Sequence, residues 1–594
     1  MPPSLSLRRH SRPDRAVLAV LSTAWFLGLP AQVSGQAGGS GEHYDLLIRN
    51  GRVLDGTGNP WFPADVGVRG DRIAAVGDLS RATATDTIDA AGKFVTPGFI
   101  GLHEHIERGI LQGRGQVPNY LTQGFTTAVI NADGHAGIWP LRAQRDSLRK
   151  LGHALNLVPM VGHGAVRGKV MGSRPEEVMR EATPEEIRRM QTLVREGMED
   201  GAFGLSTGLE YTPMRYSTTD ELVALAEVVA EYGGHVQAHM RSQGRYPKWQ
   251  LPSHRDHPTQ RPVDWLDAIH EGIEVARRTS VPFWFDHIHP KGPREWGVSK
   301  PTTEAIARAW ADGLQIYTNM HSYEGYQESI SLVPRWALAR EEVAGMSMSD
   351  NFPPVDYTGS RENLERNLAD PRRRAMMETD VAYEVDRQGG PAGLLIVGFP
   401  DRSLVGKTLA DLQREKGLSS FDAVVWLARN GDPKRLGGVG WMMRAVGMVD
   451  IEEWMRHDWN GVSLDRGWDE VEGCSPFTHP GTFGTSGRLL RLFVFERKTI
   501  TLPYAIRSLT SVGAQALGLT DRGLLRPGLM ADVVVFDPET IGSDATYLNP
   551  CVQQRGITHV LVNGELVVDD ERLTRALPGR VLERQRPRLR PASR

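Results

Sequence analysis

The chain has 594 residues, 40% of them hydrophobic and 24% charged, which allows one large domain together with a smaller one. Its formal net charge is −3, so nothing indicates the basic face of a nucleic-acid-binding protein, and no nucleic-acid partner is expected. The two cysteines, Cys474 and Cys551, allow at most one disulfide and form no CxxC zinc or redox pattern. Because 18 histidines occur, a bound metal is expected to have nitrogen and oxygen ligands.

The N-terminus is typical of an export signal over residues 1–36. Several arginines precede an apolar run at 16–29, which is shorter than the ~20 residues that span a bilayer. Small residues then follow in AQVSGQAGG, where a signal peptidase could cut. A plain Sec signal is favoured over twin-arginine export, although the pair Arg8-Arg9 fits the latter. We therefore expect a periplasmic or secreted protein with no stable membrane span.

Strand-like segments occur near both ends, at 44–97 and 525–572. Their apolar runs are joined by turn dipeptides, for which we predict turns at Asn50-Gly51, Gly70-Asp71 and Asn563-Gly564. Because the two segments share this pattern, we expect them to form one small β domain, into which the rest of the chain is inserted.

Helices and strands alternate in the middle of the chain. Thr183 with Glu186, and Thr218 with Glu221, predict helix starts with capping boxes. Repeated strand-helix-strand units indicate a parallel sheet, and the region 98–520 has the size of a (β/α)8 barrel. Within it, residues 327–450 show weaker periodicity and many charges, and are predicted to be an insertion or lid. The Arg- and Pro-rich tail at 573–594 is predicted to be poorly ordered.

Histidines recur where predicted strands end. In VTPGFIGLHEHIE, His103 and His105 are two residues apart and so point to one side of a strand, as a cation chelate requires. His239 ends the strand HVQAHM, and VPFWFDHIH offers His287 or His289 as a further ligand. Each pattern alone also fits polar residues at a strand end. Because a (β/α)8 barrel brings the carboxyl ends of its strands together, the combination predicts a metal site.

Two carboxylates occupy similar positions. Asp133 ends GFTTAVINAD and could bind or bridge metals, while Asp465 ends WNGVSLD and is suited to act as a general base. Either residue could instead serve an ordinary turn before glycine. The expected cofactor is Zn²⁺, as one or two cations, with Mn²⁺ or Co²⁺ as possible replacements.

Most of the chain, from about 44 to 572, resembles the amidohydrolase superfamily and, within it, the D-aminoacylase (N-acyl-D-amino-acid deacylase) family. The segments that carry the resemblance are VTPGFIGLHEHIE, GFTTAVINADG, MVGHGAVRGKVMG, GAFGLSTGLEYTP, GGHVQAHMRSQG and LTSVGAQALGLTDRGLLRPGLMADVVVFDPE. The resemblance implies an α/β fold, namely a TIM-type barrel with a small β-sandwich formed from both chain ends. It also implies metal-dependent hydrolysis of an amide in a small molecule.

The resemblance assigns metal ligands position by position. A metal-bridging cysteine of the family corresponds to Asp133, which replaces a soft thiolate with a hard carboxylate. The catalytic aspartate corresponds to Asp465, although the family pattern Ser-Asp-Gly is here Ser-Leu-Asp-Arg-Gly. The implied ligands are His103, His105, Asp133, His239 and His287.

The substrate side departs further from the family. A lysine, a tyrosine and an arginine that hold the substrate carboxylate in relatives correspond to His289, His321 and Gly481. Gly481 cannot bind a carboxylate as an arginine does. The candidate replacements, each of which could also be an ordinary loop residue, are Arg241, His289, Tyr323 and Arg488.

These assignments predict a mechanism in which Asp465 takes a proton from metal-activated water and delivers it to the leaving nitrogen. His163 is a candidate to bind the tetrahedral oxyanion, or else a structural loop residue. The expected reaction is deacylation of N-acyl-D-amino acids. The alternatives are hydrolysis of another amide, a dipeptide, a cyclic amide or a lactone, and a non-catalytic binding protein on the same scaffold. The oligomeric state is not predicted.

Overall fold

The structure is a computed structural model and describes residues 41–135, 139–254, 263–326, 331–340 and 356–584. The predicted export signal, part of the predicted insertion and residues 585–594 of the predicted tail lie outside the described residues. Within these ranges, no helix has the length and apolar character needed to cross a bilayer.

Five short strands begin the described chain. They are β1 (His43–Val53), β2 (Phe62–Arg69), β3 (Arg72–Gly77), β4 (Thr83–Asp89) and β5 (Phe94–Pro97). The turn predicted at Gly70-Asp71 is confirmed between β2 and β3. The turn predicted at Asn50-Gly51 is wrong, because both residues lie inside β1, where a bulge shifts the register. Asn50 has φ 60°, and a Cβ at Gly51 would lie 2.6 Å from Val95 Cγ2, so this dipeptide serves a bulge packed on β5.

The strands in the middle of the chain form a barrel and a separate antiparallel pair of strands. They are β6 (Phe99–Gly101), β7 (Phe125–Ile130), β8 (Asn156–Pro159), β9 (Val161–Gly162), β10 (Gly204–Gly208), β11 (His235–His239), β12 (Phe283–Phe285), β13 (Ile316–Met320), β14 (Leu394–Gly398), β15 (Gly440–Met443) and β16 (Asn460–Val462). Parallel pairing runs through β6-β7-β8 and through β9-β10-β11-β12-β13-β16. The chain runs directly from β8 to β9, and the Leu102 amide donates to the Val462 carbonyl at 3.2 Å beside β6 and β16. Both faces of these strands are buried, as expected for a parallel barrel wrapped by helices.

Helices connect the barrel strands and extend beyond them. They are α1 (Glu107–Leu111), α2 (Pro118–Leu121), α3 (Leu141–Leu151), α4 (His163–Met171), α5 (Pro175–Val178), α6 (Pro184–Glu199), α7 (Thr219–Glu231), α8 (Trp265–Thr279), α9 (Ser299–Ala311), α10 (Arg335–Leu338), α11 (Ser360–Ala369), α12 (Pro371–Arg387), α13 (Gly390–Gly393), α14 (Leu409–Lys416), α15 (Ser420–Asn430), α16 (Met448–Met455), α17 (Gly481–Arg488), α18 (Leu502–Leu509) and α19 (Ser511–Leu517). A π-helical segment, Leu489–Glu496, continues α17. The helix start predicted at Thr183 is confirmed as a capping box with Glu186. At Thr218 the helix start is confirmed, because the side chain accepts from the Glu221 amide, but the Glu221 carboxylate pairs with His163 and Arg167 instead of completing a capping box.

Elements α10 to α15, with the antiparallel pair β14-β15, lie between barrel strands β13 and β16. They pack around their own apolar cluster, which includes Met377, Leu394, Leu412 and Val424. This part of the chain overlaps the insertion predicted at 327–450, and Arg387 at the end of α12 reaches the barrel mouth.

The last strands join the first ones. They are β17 (Val533–Phe536), β18 (Ile557–Val562), β19 (Glu565–Asp569) and β20 (Arg572–Leu573). The turn predicted at Asn563-Gly564 is confirmed between β18 and β19. β17 pairs with β5, so strands from both chain ends form one continuous mixed sheet. The prediction of a β-sandwich is corrected accordingly, because the strands belong to this one sheet and not to two separately paired sheets. Beyond β20 the chain returns to the barrel, where the Leu582 amide donates to the Leu157 carbonyl at 2.8 Å. The prediction of a poorly ordered tail is therefore wrong for residues 573–584, because backbone hydrogen bonds hold this segment against the barrel.

Candidate metal centre

The predicted ligands meet at the carboxyl ends of the barrel strands. His103 and His105 follow β6, Asp133 follows β7, His239 ends β11 and His287 follows β12. Asp465 follows β16, which adjoins β6 around the barrel. The parallel direction of the strands therefore brings together side chains that are separated by as many as 362 positions, from His103 to Asp465.

Asp133 lies at the centre of this donor set. Its Oδ1 is 3.5 Å from His103 Nε2, 3.7 Å from His239 Nδ1 and 3.9 Å from His287 Nε2. Its Oδ2 is 3.6 Å from His105 Nε2. Asp465 Oδ1 lies 3.3 Å from His105 Nε2 and 3.9 Å from His103 Nε2.

These separations fit a shared cation. Ligands placed tetrahedrally at zinc–ligand distances of ~2.1 Å would stand about 3.4 Å apart. His103 Nε2 and Asp133 Oδ1 are also buried and have no hydrogen-bond partner within the described part of the chain. Two compact groups of potential ligands emerge, His103 with Asp133 and His287, and His103 with His105 and Asp465. The residues present therefore fit one or two divalent cations.

Three of the imidazoles have a polar partner at the ring nitrogen that does not face Asp133. His103 Nδ1 lies 2.9 Å from Asp286 Oδ2, His239 Nε2 lies 3.0 Å from Glu210 Oε2, and His287 Nδ1 lies 3.0 Å from the Gln243 amide nitrogen. Partners of this kind fix the ring orientation of metal-binding histidines and raise their basicity. Asp286 thus contacts the ring nitrogen of His103 that does not face Asp133.

Charge balance within the centre lowers the pKa of both carboxylates. Burial alone would raise the pKa of Asp133, but the charge and hydrogen bond of His103 and the hydrogen bond of His287 hold it well below its usual range. Burial opposes ionisation of Asp465 too, yet the hydrogen bond to His105 and the charge of His287 keep its pKa well below normal. Both groups are therefore carboxylates at neutral pH, the form that binds a cation.

Three members of the centre have left-handed backbones. Asp133 and Asp465 both have φ 56°, and His287 has φ 29°. Non-glycine residues seldom adopt this conformation, and those that do concentrate at functional sites. Here it turns each side chain toward the barrel mouth just after its strand has ended.

The other predicted site residues have different surroundings. His163 Nε2 is 2.8 Å from Glu221 Oε1 and its Nδ1 is 2.9 Å from Thr207 Oγ1, so binding an oxyanion would require it to give up a bond. Arg241 is paired with Glu271 through two 2.8 Å bonds. These roles stay predictions.

The remaining candidates form one wall beside the centre. The rings of His289 and His321 are 4.5 Å apart, and Tyr323 packs on His479 at 5.0 Å. The guanidinium of Arg488 lies 4.7 Å from the Tyr323 ring centre while it donates to Glu324 at 2.7 Å. Their contacts with a substrate stay predictions.

Sequence reasoning did not identify Glu210, Gln243 or Glu104 as parts of the site. Glu104 faces away from the donor set between His103 and His105, accepts from Tyr120 Oη and from the Leu464 amide, and so connects β6 to the Asp465 loop. Burial raises its pKa to about 7. Glu210 had a usable signal, because it follows the end of β10 as the other ligands follow their strands.

A barrel with imidazoles and carboxylates at the mouth defines the class of metal-dependent hydrolases in which a cation activates water. The model of the Amidohydrolase family matches residues 86–328 and 401–568, and the chain belongs to that family. It is a metal-dependent amidohydrolase related to D-aminoacylases.

Named proteins and a solved structure are similar to this chain over most of its length. The chain is 29% identical to a D-aminoacylase of Alcaligenes xylosoxydans xylosoxydans, with 91% of this chain and 98% of that protein covered. It is 28% identical to an N-acyl-D-glutamate deacylase of the same organism, with 91% and 97% covered. The crystal structure of N-acyl-D-glutamate deacylase from Bordetella bronchiseptica, with zinc and a phosphonate mimic of the tetrahedral intermediate, matches at 27% identity and a TM-score of 0.68, covering 91% of this chain and 100% of that one.

Proposed function

We propose that the protein is a zinc-dependent deacylase of N-acyl amino acids, with N-acyl-D-amino acids as the first candidate substrates. The observation that carries this proposal is the convergence of His103, His105, His239 and His287 on Asp133. The names of the similar proteins, D-aminoacylase and N-acyl-D-glutamate deacylase, support an N-acyl-D-amino acid as substrate.

His239, His287 and Asp133 would hold one cation, and His103 with His105 would complete a second position. When bound, the cation supplies a Lewis acid for the scissile carbonyl and makes a nucleophile of water at neutral pH. A D-aminoacylase with 28% identity is described as having a binuclear centre in which one metal activates and the second attenuates. Either occupancy is compatible with the donors present here.

Asp465 is placed to move the proton. Its side chain is 26% exposed, so water reaches its carboxylate, while Oδ1 remains 3.3 Å from His105 Nε2. It can accept a proton from the attacking water and give it to the leaving nitrogen, as general bases and acids do in amide hydrolysis.

A second candidate function is hydrolysis of a cyclic amide or a dipeptide. It is favoured by the neutral character of His289, whose pKa burial lowers to about 3, at the position where the resemblance implies a lysine for the substrate carboxylate. A non-catalytic role is disfavoured because each implied ligand position holds a histidine or an aspartate.

Substitution of Asp465→Asn tests the assignment of the base. We expect turnover to fall roughly 10²–10⁴-fold, because the amide cannot take the proton. Zinc content, measured by atomic emission, should stay at the wild-type level. Full turnover would reject the role, whereas loss of zinc would make Asp465 a ligand instead.

Substrate screening tests the reaction itself. Purified protein with added Zn²⁺ is given N-acyl-D-amino acids, N-acyl-L-amino acids, dipeptides and cyclic amides, and the released amine or new carboxylate is measured. We expect amine release from the N-acyl-D series, and none from the Asp465→Asn control. Turnover of cyclic amides alone would overturn the deacylase proposal in favour of the second candidate.

We also propose export to an oxidising compartment. The disulfide between Cys474 and Cys551 supports this, since such bonds persist in the periplasm and outside the cell. Fractionation of cells that express the full chain, with mass spectrometry of the mature N-terminus, tests the proposal. Cytoplasmic protein with residues 1–36 intact would contradict it.

A further inference from the structure

Arg466 has hydrogen-bonding capacity that the protein itself does not use. Its Nη1 donates to the Asp465 carbonyl at 2.5 Å, whereas Nε and Nη2 are buried without a partner in the described ranges. A buried donor that stays unpaired costs free energy, and the cost is higher for a charged group. A ligand with two hydrogen-bond acceptors, one for Nε and one for Nη2, would remove this cost.

Other guanidinium groups around the barrel mouth have acidic partners. Arg241 is paired with Glu271 at 2.8 Å, Arg387 with Glu210 at 3.1 Å and Arg488 with Glu324 at 2.7 Å. The carboxylate closest to Arg466 is Asp465, with Oδ2 3.9 Å from Nη1, and its Oδ1 already contacts His105. Within the described ranges, Arg466 therefore has one distant ion pair, with Asp465, and no hydrogen bond to a carboxylate.

The backbone fixes Arg466 beside the metal centre. Its carbonyl accepts from the His105 amide at 3.0 Å and from Tyr120 Oη at 2.7 Å. Asp465, the proposed base, is its neighbour in the chain. A group bound by Arg466 would therefore lie close to the bond that Asp465 and the cation act on.

Arg466 is one of the residues that line a cavity of about 370 Å³. His479 lines the same cavity and is neutral, because Nε2 donates to the Gly325 carbonyl while Nδ1 accepts from the Gly481 amide. A second guanidinium, that of Arg435, also lines it, 4.2 Å from the Phe477 ring centre. The acidic Asp469 on the cavity wall already accepts from Thr478 Oγ1 at 3.1 Å.

We propose that Arg466 binds the carboxylate of the substrate through Nε and Nη2, and so makes the enzyme selective for amides that carry an ionised carboxyl group near the scissile bond. This inference rests on the proposed function and deepens it. Two parallel N–H donors of a guanidinium match the two oxygens of a carboxylate.

His289 then has a different part in substrate binding. Its Nε2 donates to the His321 carbonyl at 3.2 Å, because a carbonyl oxygen only accepts, and its buried Nδ1 remains as an acceptor without a partner in the described ranges. Such an atom receives a hydrogen from a substrate N–H or O–H group and repels a carboxylate. The anion is therefore directed to Arg466.

The first experiment compares N-acetyl amino acids with their carboxamides, which lack the negative charge. For zinc-loaded wild-type protein we expect kcat/KM to favour the carboxylate, and for Arg466→Gln we expect this preference to fall roughly 10- to 100-fold, mainly through KM. Arg466→Lys, which keeps the charge without the fork, should retain part of the preference. Arg414→Gln, at an exposed surface pair with Asp411, is the control that should leave it unchanged.

Arg488→Gln is the competing variant. If it abolishes the preference while Arg466→Gln keeps it, the inference is overturned. Zinc content and thermal unfolding are measured for each variant, so that loss of the metal or of the fold is recognised. If Arg466→Gln loses either, the substrate preference of Arg466→Lys decides whether the inference holds.

A binding experiment separates this inference from the proposed reaction. An N-alkylsulfonyl amino acid cannot be deacylated, and calorimetry measures its affinity and that of its carboxamide for zinc-loaded protein. The inference is supported if wild type binds the carboxylate more tightly than the carboxamide and Arg466→Gln does not. This result supports the inference even if no N-acyl amino acid is hydrolysed, and in that case only the proposed function fails. Equal binding of both ligands to wild type overturns the inference.

Discussion

His235 and His239 lie four positions apart in one strand and have different roles. Both lie in β11, but His239 reaches the donor set, whereas neither ring nitrogen of His235 has a hydrogen-bond partner within the described chain. Burial lowers the pKa of His235 to about 3, with a further contribution from the charge of Arg584. His235 is therefore a neutral packing residue beside Trp284.

This lowered pKa makes His235 a source of acid sensitivity. Its stabilising contribution is complete above the unfolded pKa of about 6.5 and is lost as the pH falls toward 3, because the unfolded chain binds the proton first. We expect His235→Phe to remove this dependence. Between pH 6 and pH 4, the free energy of unfolding of wild type should fall about 1.4 kcal/mol per pH unit more steeply than that of the variant.

Urea denaturation of both proteins with the metal chelated measures these slopes. Chelation removes the pH dependence of metal binding, and the other buried histidines cancel in the difference. Parallel curves would show that His235 does not titrate in this range.

At the scale of elements, a helix of the insertion supports a ligand of the barrel. Arg387, at the end of α12, donates to Glu210 Oε1 at 3.1 Å, and the other oxygen of Glu210 is 3.0 Å from His239 Nε2. Burial would raise the pKa of Glu210, but the charge of Arg387 and the hydrogen bond to His239 hold it far below normal. The insertion thus supplies a residue that supports the metal centre.

Arg387→Met should weaken metal binding, because the carboxylate that orients His239 loses its buried cation. We expect zinc affinity, measured by competition with a chelator, to fall roughly 10- to 100-fold. Glu210→Gln should have a similar effect, and the double variant should be little worse than either alone. Arg374→Met, at an exposed pair with Glu378 in the same helix, is the matched control. Wild-type affinity in Arg387→Met would restrict the insertion to a packing role.

Periodicity explains which elements could be predicted. The pattern of apolar runs placed His103, His105 and His239 near the carboxyl ends of barrel strands, although His103 and His105 follow β6 and do not alternate within it. Turn chemistry located the loops at Gly70 and Asn563. It failed at Asn50, because a bulge uses the same dipeptide as a hairpin. The approach of Arg387 to Glu210 spans 177 positions and depends on how two separate cores pack, which no local pattern records.

The left-handed conformations of Asp133, His287 and Asp465 were equally out of reach of the sequence. Their side chains turn inward only because the following loops hold the backbone there. A residue can therefore be placed at a strand end from its sequence, while its contacts in the site require the loops.

At the scale of the whole molecule, the disulfide joins two distant parts of the cavity wall. Cys474 lies in the loop after Asp465, and Cys551 lies 77 positions later, in the segment that carries Tyr547. Tyr547 packs against Tyr323 and His479. The bond therefore limits the separation of the Asp465 loop from the substrate side of the barrel.

Replacing both cysteines by serine should lower the free energy of unfolding by roughly 2–4 kcal/mol, because the unfolded chain gains freedom when a long loop opens. Denaturant titration with and without dithiothreitol measures this loss. Reductant should bring wild type to the level of the variant and leave the variant unchanged. A wild-type transition that reductant does not move would mean that the bond does not contribute to stability.

The pairing of β5 with β17 also determines when, during synthesis, the mixed sheet can finish folding. The sheet edge formed by Phe94 and Val95 has its neighbour only after Val533–Phe536 has left the ribosome or the translocation channel. Until then the nascent chain exposes an unpaired apolar edge, which is a site for aggregation or for chaperone binding. Fragments that stop before β17 should accordingly be recovered as insoluble material, however well their barrel strands are preserved.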